Sequence, residues 1–270
     1  MASPEDVTLQ PAAAAETPDI LVPTISYWAL AKSVRILTEI VSYYFPLHGL
    51  SHTDIPRFMA VLTFAESTLY QIDEEYERHI GEPYFESRSM AVLRNVLTSL
   101  TLYDEALEAE LQGGLTYWRL EQQLCSGRPF TEADIVRANR FRCGDYRFLH
   151  RLLHKLIPKP YDEELLDLWW LIEQMGEVEE DLLQYHADLQ RNVYNTYRMF
   201  VRLYGEAAPQ HLQRYRDALE AEAQQRLVRL SETRPDLAAT VEHLYATGRA
   251  LYPVPPIPPP ILESAPDLRG

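Results

Sequence analysis

One stretch dominates the hydrophobic pattern of the chain. It runs from Tyr161 to Tyr204, with no proline after Pro160 and a single glycine, Gly176. With so few breakers, the pattern predicts one helix of more than forty residues. Its ends are apolar almost all round: Leu165, Leu166, Leu168, Trp169, Trp170, Leu171 and Ile172 at the start, Val193, Tyr194, Tyr197, Met199, Phe200, Val201 and Leu203 at the finish. A helix that is hydrophobic on every face is buried on every face. Between those ends lies an acidic middle, Glu173, Glu177, Glu179, Glu180, Asp181 and Asp188. Burying that many carboxylates unpaired is prohibitive, so the middle either faces water or holds something cationic.

The rest of the chain also reads as helix. A first helix is expected from near Pro23, with Thr24 and Ser26 close to its cap, to Phe45-Pro46. A second starts at Thr53 or Asp54, with Pro56 in its first turn, and runs to Gly81. It carries the stripe Ile55, Phe58, Leu62, Ala65, Leu69, Ile72 and Tyr76, and beside it the line Glu66, Tyr70, Asp73 and Glu77. A third is expected from Ser87 to Leu111, ended by a turn at Gly113-Gly114. Thr131 followed by Asp134 signals a cap for a helix toward Leu156, and two further helices are expected at Pro209 to Glu232 and Pro235 to Tyr252. Strand-like alternation is absent and glycines number only 10, so the expected fold class is all-α. Composition marks residues 1–22 as a disordered N-terminus and 253–270 as a proline-rich disordered tail, leaving 23–252 as a single helical domain.

Charge narrows the partners. A formal net charge of -15 argues against a nucleic-acid backbone or an anionic membrane surface. Cys125 and Cys143 show neither CxxC spacing nor a histidine at zinc-finger spacing, so neither a disulfide framework nor a zinc site is indicated. The N-terminus lacks a basic start and an apolar core, which is unlike a secretory signal, and no apolar run is long enough to span a membrane. The expectation is a soluble, cytoplasmic protein, for which a homodimer is compatible.

Two acidic runs carry candidate chemistry. In Asp73-Glu74-Glu75-Tyr76-Glu77, Asp73 and Glu77 share a helix face with Glu74 beside them. Downstream, Glu177, Asp181, Gln184 and Asp188 form another line. Two helices opposed along these lines would wall a pocket with hard oxygen donors, which suit magnesium and, through it, a diphosphate. Most of the clustered basic residues lie between the runs: Arg137, Arg140, Arg142, Arg147, Arg151 and Lys155. The 17 tyrosines, 8 phenylalanines and 4 tryptophans are enough to line a cavity that shields a carbocation.

Asp73-Glu74-Glu75-Tyr76-Glu77 resembles a degenerate form of the aspartate-rich DDxxD motif of class I isoprenoid synthases. Glu180-Asp181-Leu182-Leu183-Gln184-Tyr185-His186-Ala187-Asp188 resembles that family's second metal motif, (N/D)DxxSxxxE, whose first, fifth and ninth positions bind magnesium. The resemblance implies a helical bundle around a central cavity and a magnesium-dependent terpene synthase, a carbon-oxygen lyase that ionises a prenyl diphosphate. A prenyl-coupling enzyme of the same fold is the alternative within the family. By the same resemblance the magnesium ligands would be Asp73, Glu74 and Glu77 on one wall and Glu180, Gln184 and Asp188 on the other, with Asp181 beside them. Arg137, Arg140 and Arg191 would hold diphosphate. Glutamates stand in for aspartates in the first motif, Glu180 for Asn or Asp, and Gln184 for Ser or Thr.

Plainer readings exist for each feature. Both acidic runs also suit solvated helix faces, and the arginine cluster a solvated counter-face. His186, on the apolar stripe of its helix, is expected to be a core histidine bonded to a carboxylate. A ferritin-like di-iron protein is disfavoured because no histidine follows a glutamate by three residues. A non-enzymatic helical interaction protein, or an inactive relative of the synthases, remains the rival class.

Overall fold

The computed structural model describes residues 24–79, 85–157 and 159–263, and among them there is no strand. The sequence suggests one domain over 23–252. Contacts divide the chain into two compact units, one made of the residues up to Leu111 with Phe148–Tyr161, the other of Gln112–Arg147 with the chain from Asp162 onward. Residues 1–22, expected to be disordered, lie outside the described residues. Among the described residues no helix is long and apolar enough to cross a membrane.

In the first unit, helix α1 (Tyr27–Glu39) starts where Ser26 Oγ accepts the Ala29 amide at 3.0 Å. It continues through a π-helical turn, Ile40–Tyr44, and a last turn, Phe45–Leu47. Helix α2 (Ile55–Arg78) packs against α1 and against α3 (Arg88–Ser99), which Ser87 caps. Two buried hydroxyls, Ser33 and Ser67, meet at 2.9 Å, and Ile36, Ile40, Leu62, Ile72, Leu93 and Leu97 fill the core. The helix expected to run from Ser87 to Leu111 stops early. Thr101 turns left-handed at φ 60°, Leu102 bonds back to the Leu97 carbonyl, and Asp104 Oδ1 accepts from the Leu107 amide to open α4 (Glu105–Cys125). Gly113 and Gly114, expected as a turn, sit inside α4, in the part of it that belongs to the second unit. A Cβ on Gly113 would lie 3.2 Å from the Phe141 ring, so the glycine serves close packing rather than chain reversal.

In the second unit, α5 (Glu132–Arg142) begins with the expected capping box of Thr131 and Asp134. It ends at Cys143, and α6 (Gly144–Leu156), whose residues from Phe148 onward belong to the first unit, starts anew, so there is no single helix to Leu156. The helix of more than forty residues is likewise two helices, α7 (Glu163–Arg191) and α8 (Thr196–Tyr204). Asn192 ends α7 in the left-handed conformation at φ 57°, with the Val193 amide returning to the Asp188 carbonyl at 3.2 Å. Asn195 then caps α8, its Oδ1 accepting from the Arg198 amide at 3.0 Å. Helix α9 (Ala208–Thr233) lies along α7, α8 and α10 (Pro235–Leu251), over a core that includes Val178, Tyr185, Tyr197, Phe200, Leu212 and Leu230.

The proline-rich segment at 253–263 is not a loose end. Tyr197 Oη donates to the Pro258 carbonyl at 2.6 Å, the Ile261 amide donates to Tyr185 Oη at 2.9 Å, and the Arg198 guanidinium clasps Glu263 at 2.7 and 2.8 Å. A proline-rich chain is already extended when unfolded, so fixing it costs little entropy and a few anchors hold it.

The α7–α8 junction generates a direct test. Asn195 is fully buried, caps α8 and donates to both the Asp181 carbonyl and Asp188. Urea denaturation of Asn195→Ala is expected to show a loss of about 2–4 kcal/mol. Asn192→Gly is expected to cost about 1 kcal/mol, because relief at positive φ is outweighed by loss of the Asn192 Oδ1 that accepts from Arg198 Nη2 at 2.7 Å.

Candidate functional site

Part of the acidic middle of α7, Glu177 and Asp181, turns inward and meets a cation. Asp181 is 1% exposed; its Oδ1 accepts from Arg142 Nη1 at 2.6 Å, and its Oδ2 from the Thr196 amide at 2.6 Å. One turn earlier Glu177 reaches Arg142 Nε at 2.9 Å. At the far end of the line, half-buried Asp188 accepts from Asn195 Nδ2 at 2.9 Å. Of the two options that the sequence poses for this segment, water or a cation, the structure shows a cation, the guanidinium of Arg142 stacked near the Tyr194 ring.

The charge there is out of balance. Burial pushes the Glu177 carboxyl up to about 7, against the pull of Arg142 and helped by Glu180, Asp145 and Asp181. Burial also raises Asp188, partly offset by its bond from Asn195, with Asp181 adding repulsion. One guanidinium therefore serves more negative charge than it neutralises.

The remaining residues singled out in α7 lie toward the rim. Glu180 is half-buried and Gln184 exposed. Arg191 is exposed at the end of the helix, as is His186, so the expected core histidine is instead a surface one. The arginine cluster divides. Arg142 is ion-paired inside, Arg147 is buried with its guanidinium 4.1 Å from the Trp170 ring centre, and Arg151 is buried against Glu110 at 2.5 Å. Arg137 and Arg140 are exposed and line an open groove of about 580 Å³ on α5, with Glu132, Ala133, Val136 and Phe141.

In the first unit the acidic run of α2 is drawn into local structure. Glu74 is buried, accepts from Ser26 Oγ at 2.9 and 3.0 Å, and pairs with Arg78 at 2.7 Å. Asp73 lies 3.9 Å from Lys32, Glu75 accepts from Ser87 and Ser89, and Glu77 is exposed. Among the described residues no three carboxylates converge as a metal-holding group. Among the described residues there is thus no preassembled all-protein magnesium cage. Magnesium needs only one or two carboxylates when substrate phosphates supply the other oxygens, and the inward α7 face has donors of that chemistry. One constellation passed unnoticed in the sequence: His48, His150 and His154 gather in the first unit. Its only local trace is the four-residue spacing of His150 and His154 on α6.

Compared with known proteins, the chain matches no family model, and no curated sequence or solved structure matches it significantly.

The raised Glu177 carboxyl has a consequence for stability. The folded chain binds its proton more tightly than the unfolded chain does, so the contribution of Glu177 is fully present below pH 4.5 and is lost as pH rises through about 7. Over that window the wild-type chain is expected to lose on the order of 3 kcal/mol more unfolding free energy than Glu177→Gln. Urea denaturation of both proteins across the pH range reads the difference.

Proposed function

We propose that this chain handles a prenyl diphosphate in the manner of class I isoprenoid synthases, with the α7 face of Glu177, Glu180, Asp181 and Asp188 as the site of the magnesium-bound diphosphate. The observation that carries this reading is the direction of the acidic line. A solvated face would leave Asp181 in water, whereas it is buried and paired with Arg142. An all-helical chain and the resemblance over Glu180 to Asp188 agree with it.

The roles follow from position. Glu180 and Asp188, at the first and ninth motif positions, are the carboxylates assigned to the metal. Arg142 balances Asp181 and Glu177 and keeps positive charge beside the line. Arg137 and Arg140, with the apolar Ala133, Val136 and Phe141 between them, offer cations and hydrocarbon surface on one groove. When bound, magnesium would neutralise the charge that develops on the departing diphosphate oxygen. A cyclised hydrocarbon or alcohol as product would mark a terpene synthase, and a longer diphosphate a coupling enzyme.

A second reading has its own support. Arg142 is already engaged by both Glu177 and Asp181, which is the arrangement expected of an inactive relative that keeps the helices for binding alone.

Incubation of the chain with magnesium and geranyl, farnesyl or geranylgeranyl diphosphate separates the two. Magnesium-dependent diphosphate release that falls on the order of 100-fold in Asp188→Ala, with the fold intact, is the expected result. Absence of release with all three substrates would overturn the enzymatic reading and leave the inactive relative.

A further inference from the structure

We propose that His48, His150 and His154 form a buried binding site for a zinc-class transition-metal ion. All three rings are almost fully buried, at 6, 2 and 4% exposure, and one ligand nitrogen from each lies within 4.8 Å of the others. The inference stands independently of the diphosphate reading, which concerns the other unit.

Each ring is set by local structure. His48 follows the π-helical turn Ile40–Tyr44 and the last turn Phe45–Leu47, just before Gly49 reverses the chain at φ 70°. π-turns are uncommon and concentrate at functional sites. Lys159 Nζ holds the His48 carbonyl at 2.8 Å, which fixes the backbone behind the ring. His150 and His154 stand one helical turn apart on α6 and so present the same face. Tyr44 stacks on His150 with ring centres 4.3 Å apart, and Tyr161 meets the edge of His154 at 5.8 Å. Nearby positive charge is answered in place, Arg151 by Glu110 and Lys155 by Asp104.

The nitrogen geometry suits an ion. His48 Nε2 and His150 Nε2 are 2.7 Å apart, so one donates to the other. If the donating ring moves its proton to Nδ1, both Nε2 lone pairs turn toward a shared point beside His154. Zinc–imidazole bonds of about 2.0–2.1 Å in a tetrahedron place nitrogens about 3.3 Å apart. That value lies between the 2.7 Å of the His48–His150 pair and the 4.8 Å within which all three ligand atoms fall. Three imidazoles, with no carboxylate or thiolate grouped with them among the described residues, favour zinc, cobalt, nickel or copper over magnesium. Three protein ligands leave a fourth position for water.

The test uses the full chain, freed of metal with a chelator and titrated with Co²⁺ and then Zn²⁺. The expected result is one Co²⁺ per chain with visible absorption bands of a low-coordinate nitrogen site, displaced by Zn²⁺, and a rise in Tm. His150→Gln and His154→Gln should each weaken binding at least tenfold, whereas His243→Gln, exposed in the other unit, should not. Because a buried variant can lose its fold, imidazole nitrogen resonances of the wild-type chain supply a second reading. Metal should shift one ring nitrogen of each of His48, His150 and His154. Non-saturable Co²⁺ binding, or three unshifted rings, would overturn the site and leave a packed aromatic core.

Discussion

A single buried carboxylate, Asp181, holds the second unit in register. Arg142 from α5 and the first amide of α8 both donate to it, and the side-chain amide of Asn195 donates to its carbonyl. Bringing a negative charge into the interior is costly, and only short, charge-assisted bonds and the positive end of a helix offset that cost. The two ends of this arrangement depend on each other. Removing Arg142 would leave Asp181 buried without its cation, a change that costs about 3–5 kcal/mol in comparable pairs, whereas removing Asp181 leaves Arg142 paired with Glu177. Burial raises the Glu177 carboxyl, and Arg142, whose shorter contact goes to Asp181, offsets that only in part.

Much of the helical scaffold was legible from local signals. Ser26, Ser87 and the Thr131/Asp134 box cap helices where the sequence places them, because a cap is a contact between residues three apart. The misread boundaries have physical causes. The apolar run around Val193 masked two asparagines that end one helix and start the next. Gly113-Gly114 looks like a stop but serves close approach to Phe141, while the break at Thr101 carries neither glycine nor proline. Composition alone suggested disorder for the proline-rich segment, and its anchors, Tyr185, Tyr197 and Arg198, lie far away in the sequence.

The candidate chemistry was legible only by half. Periodicity identifies which carboxylates share a helix face but not what that face meets. Arg142 sat among basic residues that read equally well as a solvated surface, and only the packing of α5 against α7 separates it from exposed Arg137 and Arg140. The histidine trio shows the same limit in sharper form, since His48 and His150 are 102 residues apart and no local pattern joins them. On α2, Glu74 is consumed by holding Ser26, the residue that caps α1, a role invisible without knowing that Ser26 lies beside it.

In the proposed function, the α7 face of Glu177, Glu180, Asp181 and Asp188 takes a divalent ion together with diphosphate. Mn²⁺ in place of magnesium, added with inorganic diphosphate, broadens nearby proton signals, and the side-chain amide of Asn195 donates to Asp188 at 2.9 Å. The account predicts that this amide broadens selectively in the wild-type chain and stays sharp in Asp188→Asn. An amide that remains sharp in the wild-type chain at saturating Mn²⁺ and diphosphate would contradict it.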